Sequence, residues 1–331
     1  QPVGVSIKHD NKPSRYYAWG HPEKNNCSVD VAATMLANIW HGKSPMLFHH
    51  AKFDVAVAIK WFGLPMPAWE RIHDTVYLLF LNDPYSANLS LKPSAERLLC
   101  LPPNERDALT DWIVAHTPCE SRKQAGAWIY LAPGDLVGEY AKGDTDRTKG
   151  LYDLLAPHIK QRDMEGAYKR EQRLMPITYF SEVKGVRVDR PRLESDLIIF
   201  EKALVKSENM IRKKLGTDVD VGNPTELADA LENAGLISQW VLTPTGKRSI
   251  SKDNLERAIN DENVLHLLRY RGAMAGCLQT FARPWAALSS EDNRIHTTWN
   301  QVRTHGEDDA NSRGARTGRL SASKPSLMNV T

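Results

Sequence analysis

The hydrophobic period of this chain changes once along its length, and that change restricts the fold more than any other feature. Val3, Val5 and Ile7 alternate with small or polar residues, the period of a half-buried strand. Far downstream, Leu193, Leu197, Phe200, Leu204, Ile211 and Leu215 recur mostly at three- and four-residue steps, the period of one helix face. Short strand patterns interleaved with helical stretches fill the first half, and long helical stretches fill the second. The first pattern calls for an α/β layered domain and the second for a helical one, with the boundary expected near residue 165.

Within the first half, Asn11-Lys12-Pro13-Ser14 is a turn cluster, and Arg15 to Trp19 reads as the returning strand of a hairpin. Helices are predicted over 29–40, 53–62, 74–81 and 91–101, with a short apolar run at Met46-Leu47-Phe48. The stretch 104–128 is polar and gives no clear assignment. A long helix is predicted from Asp135 to Ile159, with Pro157 against it near the end. In the second half, helices are predicted over 168–184, 193–215, 225–234 and 263–288.

Composition excludes several classes. The 331 residues suffice for two cores, and a net charge of +3 means that any nucleic-acid surface must be local. Four cysteines (Cys27, Cys100, Cys119 and Cys277) at wide, irregular spacing argue against a zinc site or a disulfide framework and fit a reducing cytoplasm. No apolar run approaches the roughly 20 residues a membrane helix needs, so no membrane partner is expected.

Two segments carry candidate chemistry. In the long helix, Leu136, Tyr140, Asp144, Thr148, Leu151 and Leu155 share one face, which puts Asp144 in line with an apolar stripe. A carboxylate there needs a partner or a metal if it is buried, although a slight rotation leaves it at the edge. The second is Phe48-His49-His50-Ala51-Lys52-Phe53-Asp54, an apolar strand running into a helix. Asp54 reads either as a first-turn carboxylate favoured by the helix dipole or as a metal ligand.

Together these segments resemble family A DNA polymerases. His50-Ala51-Lys52-Phe53-Asp54 looks like the second motif of that family's 3′→5′ exonuclease, and Tyr140-Ala141-Lys142-Gly143-Asp144 looks like the third. Order and separation, about 90 residues, agree. His50 stands where asparagine is usual. The resemblance implies a ribonuclease H-like α/β domain over 1–165, with a mixed sheet and flanking helices, and a mainly α-helical thumb leading into the palm over 166–331. It implies two-metal phosphodiester hydrolysis with Mg2+ or Mn2+, Asp54 and Asp144 as ligands, Tyr140 orienting the water and His50 near the DNA strand. The family's Asp-x-Glu on the first strand falls before Gln1, so the chain as given is expected to be a poor or inactive nuclease. His73-Asp74-Thr75 resembles the start of the intervening helix, where the aspartate is structural.

The C-terminal resemblance is stronger. Arg316-Thr317-Gly318-Arg319-Leu320-Ser321, followed by Lys324-Pro325-Ser326-Leu327-Met328-Asn329-Val330, looks like the entry to the polymerase palm, with Ser326 and Met328 replacing the usual asparagine and glutamine. Arg294-Ile295-His296-Thr297 and Gln301 are similar to the strand before it. The resemblance implies primer–template contact by Arg316, Arg319 and Asn329, and phosphate contact by Lys202, Lys206, Arg212, Lys213 and Lys214. The palm aspartates and the fingers helix are expected beyond Thr331. Primer–template and single-stranded DNA are the implied partners, in the cytoplasm of a bacterium or a phage-infected host. Two other readings stay open, a stand-alone exonuclease of the ribonuclease D type and a catalytically silent DNA-binding relative of the polymerases.

Overall fold

The computed structural model describes residues 1–289, 291–304 and 314–328. The chain divides into two compact units, Gln1–Lys184 with Thr297–Met328, and Gly185–His296.

The first unit opens with a hairpin, β1 (Gly4–Ile7) and β2 (Arg15–Ala18), paired antiparallel with Val5 opposite Tyr17. Helix α1 (Val29–His41) follows, with Ser28 capping the Val31 amide. Strand β3 (Met46–Phe48) leads into α2 (Ala51–Phe62), and β4 (Ile72–Asp74), parallel to β3, leads into α3 (Thr75–Asn82). The parallel pair with its connecting helix is a βαβ unit, and its second strand, β4, is three residues long and was not read from the sequence. Helix α3 is buried almost all round, from Thr75 to Leu81.

Next come α4 (Leu91–Leu99), α5 (Asn104–His116) and the long α6 (Gly134–Gln161). Helix α5 lies in the polar stretch left unassigned. Only Leu109 and Ile113 are buried on it, too sparse a pattern to be read from sequence. Pro157 is tolerated in α6 because its ring faces solvent, near the helix end, and Asp153, four residues back, is exposed. Helix α7 (Glu165–Lys184) closes this stretch of the unit. It packs against α2, α3 and β4, which puts the boundary between compact units at Lys184 and Gly185 rather than near 165.

The expected mixed sheet is not formed among the described residues, which hold four separate two-stranded ladders. No backbone pairing joins the β1–β2 hairpin to the β3–β4 pair. Val5, Ile7, Met46 and Phe48 nevertheless line one core with Leu36, Val55 and Ile72, so the ladders share a hydrophobic layer without a hydrogen-bonded joint.

The second unit begins with β5 (Val186–Arg187) and α8 (Arg190–Leu215), where Asp189 caps the Arg192 amide and Pro191 takes the first turn. In α9 (Pro224–Asn233), Asn223 caps the Thr225 and Glu226 amides, and Glu226 reaches back to the Asp220 amide. Helices α10 (Lys252–Ala258), α11 (Glu262–Cys277) and α12 (Arg283–Leu288) follow. A wide π turn over Leu278–Ala282 joins α11 to α12, and gives the ring of Pro284 room against the carbonyl four residues back. Strand β6 (Arg294–Ile295) pairs antiparallel with β5. The core is built from Ile211, Leu227, Leu231, Leu255, Val264 and Leu268.

The chain then returns to the first unit as the antiparallel pair β7 (Thr298–Asn300) and β8 (Ser321–Ser323).

Candidate functional site

The strand-to-helix corner at His50 is built around Asp74. This carboxylate is only 2% exposed and accepts from three backbone amides, His50 at 3.1 Å, Ala51 at 2.8 Å and Val76 at 2.9 Å. It thereby caps α3 locally and α2 across the chain. Burial pushes its pKa up, against the pull of the His50 charge and of those three donors. His50 takes a left-handed backbone, φ 70°, at the start of α2, and its side chain makes no capping bond. An asparagine, which the resemblance led one to expect here, adopts that conformation readily.

Asp54 lies in the first turn of α2. It keeps contact with solvent, yet its packed surroundings and the nearby Asp74 carboxylate push its pKa up to about 7. Lys52, from the same motif, is a tether. Its ammonium donates to Glu182 at 2.5 Å and to the Trp299 carbonyl at 2.7 Å, and Glu182 accepts from the Trp299 amide at 2.6 Å. It therefore ties α2 to α7 and β7.

Asp144 is half-buried on α6, and its partner is a lysine that the sequence reading passed over. Lys92, on α4 and only 9% exposed, donates directly to Asp144 Oδ1. The same ammonium sits 3.9 Å from the ring centre of Tyr140, a cation–π contact. A signal was present. Lys92, Ala95 and Leu99 fall at three- and four-residue steps, so Lys92 stands in an apolar stripe just as Asp144 does. Tyr140 packs against the cluster of Leu109, Ile113 and Val137, and Thr148, Leu151 and Leu155 are buried as their spacing indicated.

His49 completes the corner. Its Nδ1 lies 2.8 Å from Thr75 Oγ1, and Thr75 donates to the Phe48 carbonyl, so the His49 ring donates through Nδ1. Its Nε2 is buried with no hydrogen-bond partner. Burial, with the His50 and Lys92 charges, holds this imidazole well below its usual pKa, hence neutral.

The fold thus groups His50 and Asp54 around Asp74, and Tyr140 and Asp144 around Lys92. Among the described residues, no group of three or more His, Cys, Asp or Glu side chains is placed to hold a metal ion. The donors present do not fit a two-metal cage, since one of the two expected ligands already shares its charge with an ammonium.

The C-terminal segment is anchored through Gln301, whose side chain is buried in a hydrogen-bonded joint. Its Nε2 donates to the Glu171 carbonyl at 2.9 Å and to Glu171 Oε2 at 3.1 Å, and its Oε1 accepts from Tyr77 at 2.8 Å and Thr178 at 3.3 Å. From this anchor the chain presents a turn over 316–318 ahead of β8. Arg316 lies 4.8 Å from the Tyr85 ring centre, which fixes its direction, whereas Arg319 is exposed. Gly318 has φ +70°, a conformation that glycine adopts without strain. Asn329 lies outside the described residues.

In the second unit, Lys202, Lys206 and Lys213 line a shallow groove on α8 with Val205 and Met210. Arg212 is engaged otherwise, with the Val219 carbonyl at 2.8 Å and Asp218 at 3.4 Å.

Residues 191–331 match the family model described as DNA polymerase family A. A DNA-directed DNA polymerase of Pseudomonas phage M6 is 31% identical over 207 residues, 60% of this chain and 30% of that protein. DNA polymerase I of Rhizobium leguminosarum is 28% identical over 245 residues, 68% of this chain and 22% of its own length. DNA polymerase DpoZ of Acinetobacter phage SH-Ab 15497 is 23% identical over 312 residues, 89% of this chain and 48% of that protein. The chain therefore spans less than half the length of each of these relatives. A solved structure, the POL domain of Pol1 from M. smegmatis in complex with DNA primer-template and dNTP, is similar with TM-score 0.70 at 19% identity, over 96% of this chain and 47% of that one. This likeness extends the shared fold to nearly the whole chain, the N-terminal α/β unit included. Among the described residues no helix is long and apolar enough to cross a membrane.

Proposed function

We propose that this chain is a portion of a family A DNA polymerase that holds primer–template DNA through its C-terminal segment, and that its α/β unit descends from a 3′→5′ exonuclease that does not cleave. The observation that carries the reading is the turn over 316–318, which leads to an exposed Arg319 inside the family A match. Gly318 lets backbone approach a nucleic-acid strand closely, and Arg319 supplies a free guanidinium for the minor groove near the primer end. Arg316, held over Tyr85, positions the turn. Lys202, Lys206 and Lys213 are the phosphate contacts of the helical unit, and Arg212 is structural there. Nucleotide transfer with Mg2+ belongs to the parent polymerase, in the cytoplasm of a bacterial or phage-infected cell. At the α/β unit His50, Asp54, Tyr140 and Asp144 keep the places of exonuclease residues and a surface for single-stranded DNA, while the pairing of Asp144 with Lys92 removes a ligand from the two-metal chemistry.

The test is binding of the chain to a fluorescent primer–template across a salt series, with magnesium present. Binding is expected to weaken linearly in the logarithm of salt, and Arg319→Ala to weaken it several-fold while lowering the salt slope by about one at most. Gel analysis of the same samples is expected to show an intact primer. No binding at low salt removes the DNA assignment, and primer shortening abolished by Asp144→Ala removes the non-cleaving one.

A further inference from the structure

We propose that the Lys92 ammonium is the built-in cation of the Asp144 site, standing where a nuclease of this fold would hold a divalent ion. The proposal rests on the exonuclease-derived reading of the α/β unit and concerns only what occupies that site.

The geometry is that of a cation site already filled. Lys92 comes from α4 and Asp144 from α6, so the pair is a tertiary contact rather than a neighbouring-turn pair on one helix. The lysine side chain is 10% exposed and its Nζ has two ligands of the kind a cation takes, the Asp144 carboxylate and the face of Tyr140. A charge so withdrawn from water requires a partner, and Asp144 supplies it. His49 is kept neutral, and its ring donates elsewhere, through Nδ1 to Thr75.

A divalent ion at Asp144 would therefore have to displace an ammonium that is tethered covalently and present at fixed stoichiometry. Further carboxylates brought by other parts of a parent protein do not remove this obstacle, because Lys92 would remain bonded to the same Asp144 oxygen. The ammonium gives Asp144 and Tyr140 a common partner. They hold α4 against α6 through the ammonium, and the site is structural.

The experiment is a thermal-unfolding and Mn2+-uptake series on the whole chain, followed by calorimetry and by the EPR signal of free Mn2+. The wild type is expected to take up no more Mn2+ than Asp144→Asn does, and its unfolding temperature to be indifferent to millimolar Mn2+. Lys92→Met leaves Asp144 a half-buried carboxylate without its cation, so that variant is expected to unfold at a lower temperature than the wild type, and adding Asp144→Asn is expected to recover part of the loss. Lys92→Arg keeps a cation in place and is expected to lie closer to the wild type than Lys92→Met does. Where Lys92→Met fails to fold, the wild-type Mn2+ series decides alone. Mn2+ uptake by the wild type that Asp144→Asn removes overturns the proposal, and so does a folded Lys92→Met whose unfolding temperature Asp144→Asn does not raise. Primer–template binding, measured on the same samples, reports on the wider reading separately, since Lys92 takes no part in it.

Discussion

Asp74 is the residue on which the α/β unit's strand-to-helix corner depends most, and its removal gives the sharpest energetic test. Asp74→Ala strands three backbone donors, the amides of His50, Ala51 and Val76, in a place where the carboxylate is 2% exposed. Loss of a helix cap costs about 1–2 kcal/mol, and here α2 and α3 lose theirs together. The bonds are charge-assisted, worth roughly 1.5–3 kcal/mol each when considered singly. Against them stands the burial of the carboxylate, a cost the variant no longer bears, which pulls the sum down. The expected loss is about 3 kcal/mol, and Asp74→Asn, which keeps one acceptor oxygen, should lose about half of that. Urea unfolding of the intact chain measures the difference, with hydrogen exchange at the Ala51 and Val76 amides as the local readout. A loss below about 1 kcal/mol for Asp74→Ala, with protection at those amides unchanged, would refute the reasoning.

The other expectations are simpler. Asp54 has its folded-state pKa pushed up to about 7 by its packed surroundings and by Asp74, against an unfolded value of about 3.9. Its ionisation therefore works against the fold, with no effect below about pH 4 and the full effect above about pH 7. Asp54→Asn should match the wild type at pH 4 and be the more stable of the two at pH 8. The gain should be about 1 kcal/mol at most, because solvent screens this carboxylate, and urea midpoints at the two pH values check both the sign and the window. Gln301→Leu removes the joint between Tyr77, Thr178 and Glu171 and leaves the Glu171 carboxylate short of a donor, so a loss of about 3 kcal/mol is expected from denaturation curves. Arg319→Ala should leave the unfolding midpoint within about 0.5 kcal/mol of wild type while weakening DNA binding, which separates contact from support.

Most of the elements were legible in the sequence because their signals are local. Alternation placed β1, apolar steps placed α8, and the helix predicted over 225–234 matches α9 within a residue at each end. The failures were of two kinds. Helix α5 buries only Leu109 and Ile113, so its period is faint, and the helix predicted over 263–288 is broken by a π turn that relieves Pro284. The other kind is long-range. A mixed sheet was expected from the family resemblance, but sheet closure depends on backbone pairing between segments far apart, and no period in the sequence reports whether β1 pairs with β3. The division at Lys184 is of this second kind as well, because a helix's own sequence does not say which core it joins.

At the candidate site the sequence marked Asp144 as a charge on an apolar stripe but left its partner undetermined. A metal and an opposite charge satisfy a half-buried carboxylate equally well on periodicity alone. The decisive residue was on another helix, 52 positions away, and carried the same mark: a charge, Lys92, in line with Ala95 and Leu99. Two opposite charges on two apolar stripes of one domain need no outside ion, because each removes the need of the other. A search of a polymerase-like sequence for lost nuclease activity should therefore look for new buried cations as carefully as for missing carboxylates. On the proposal made above, the ammonium disables the site while the motif residues around it remain intact.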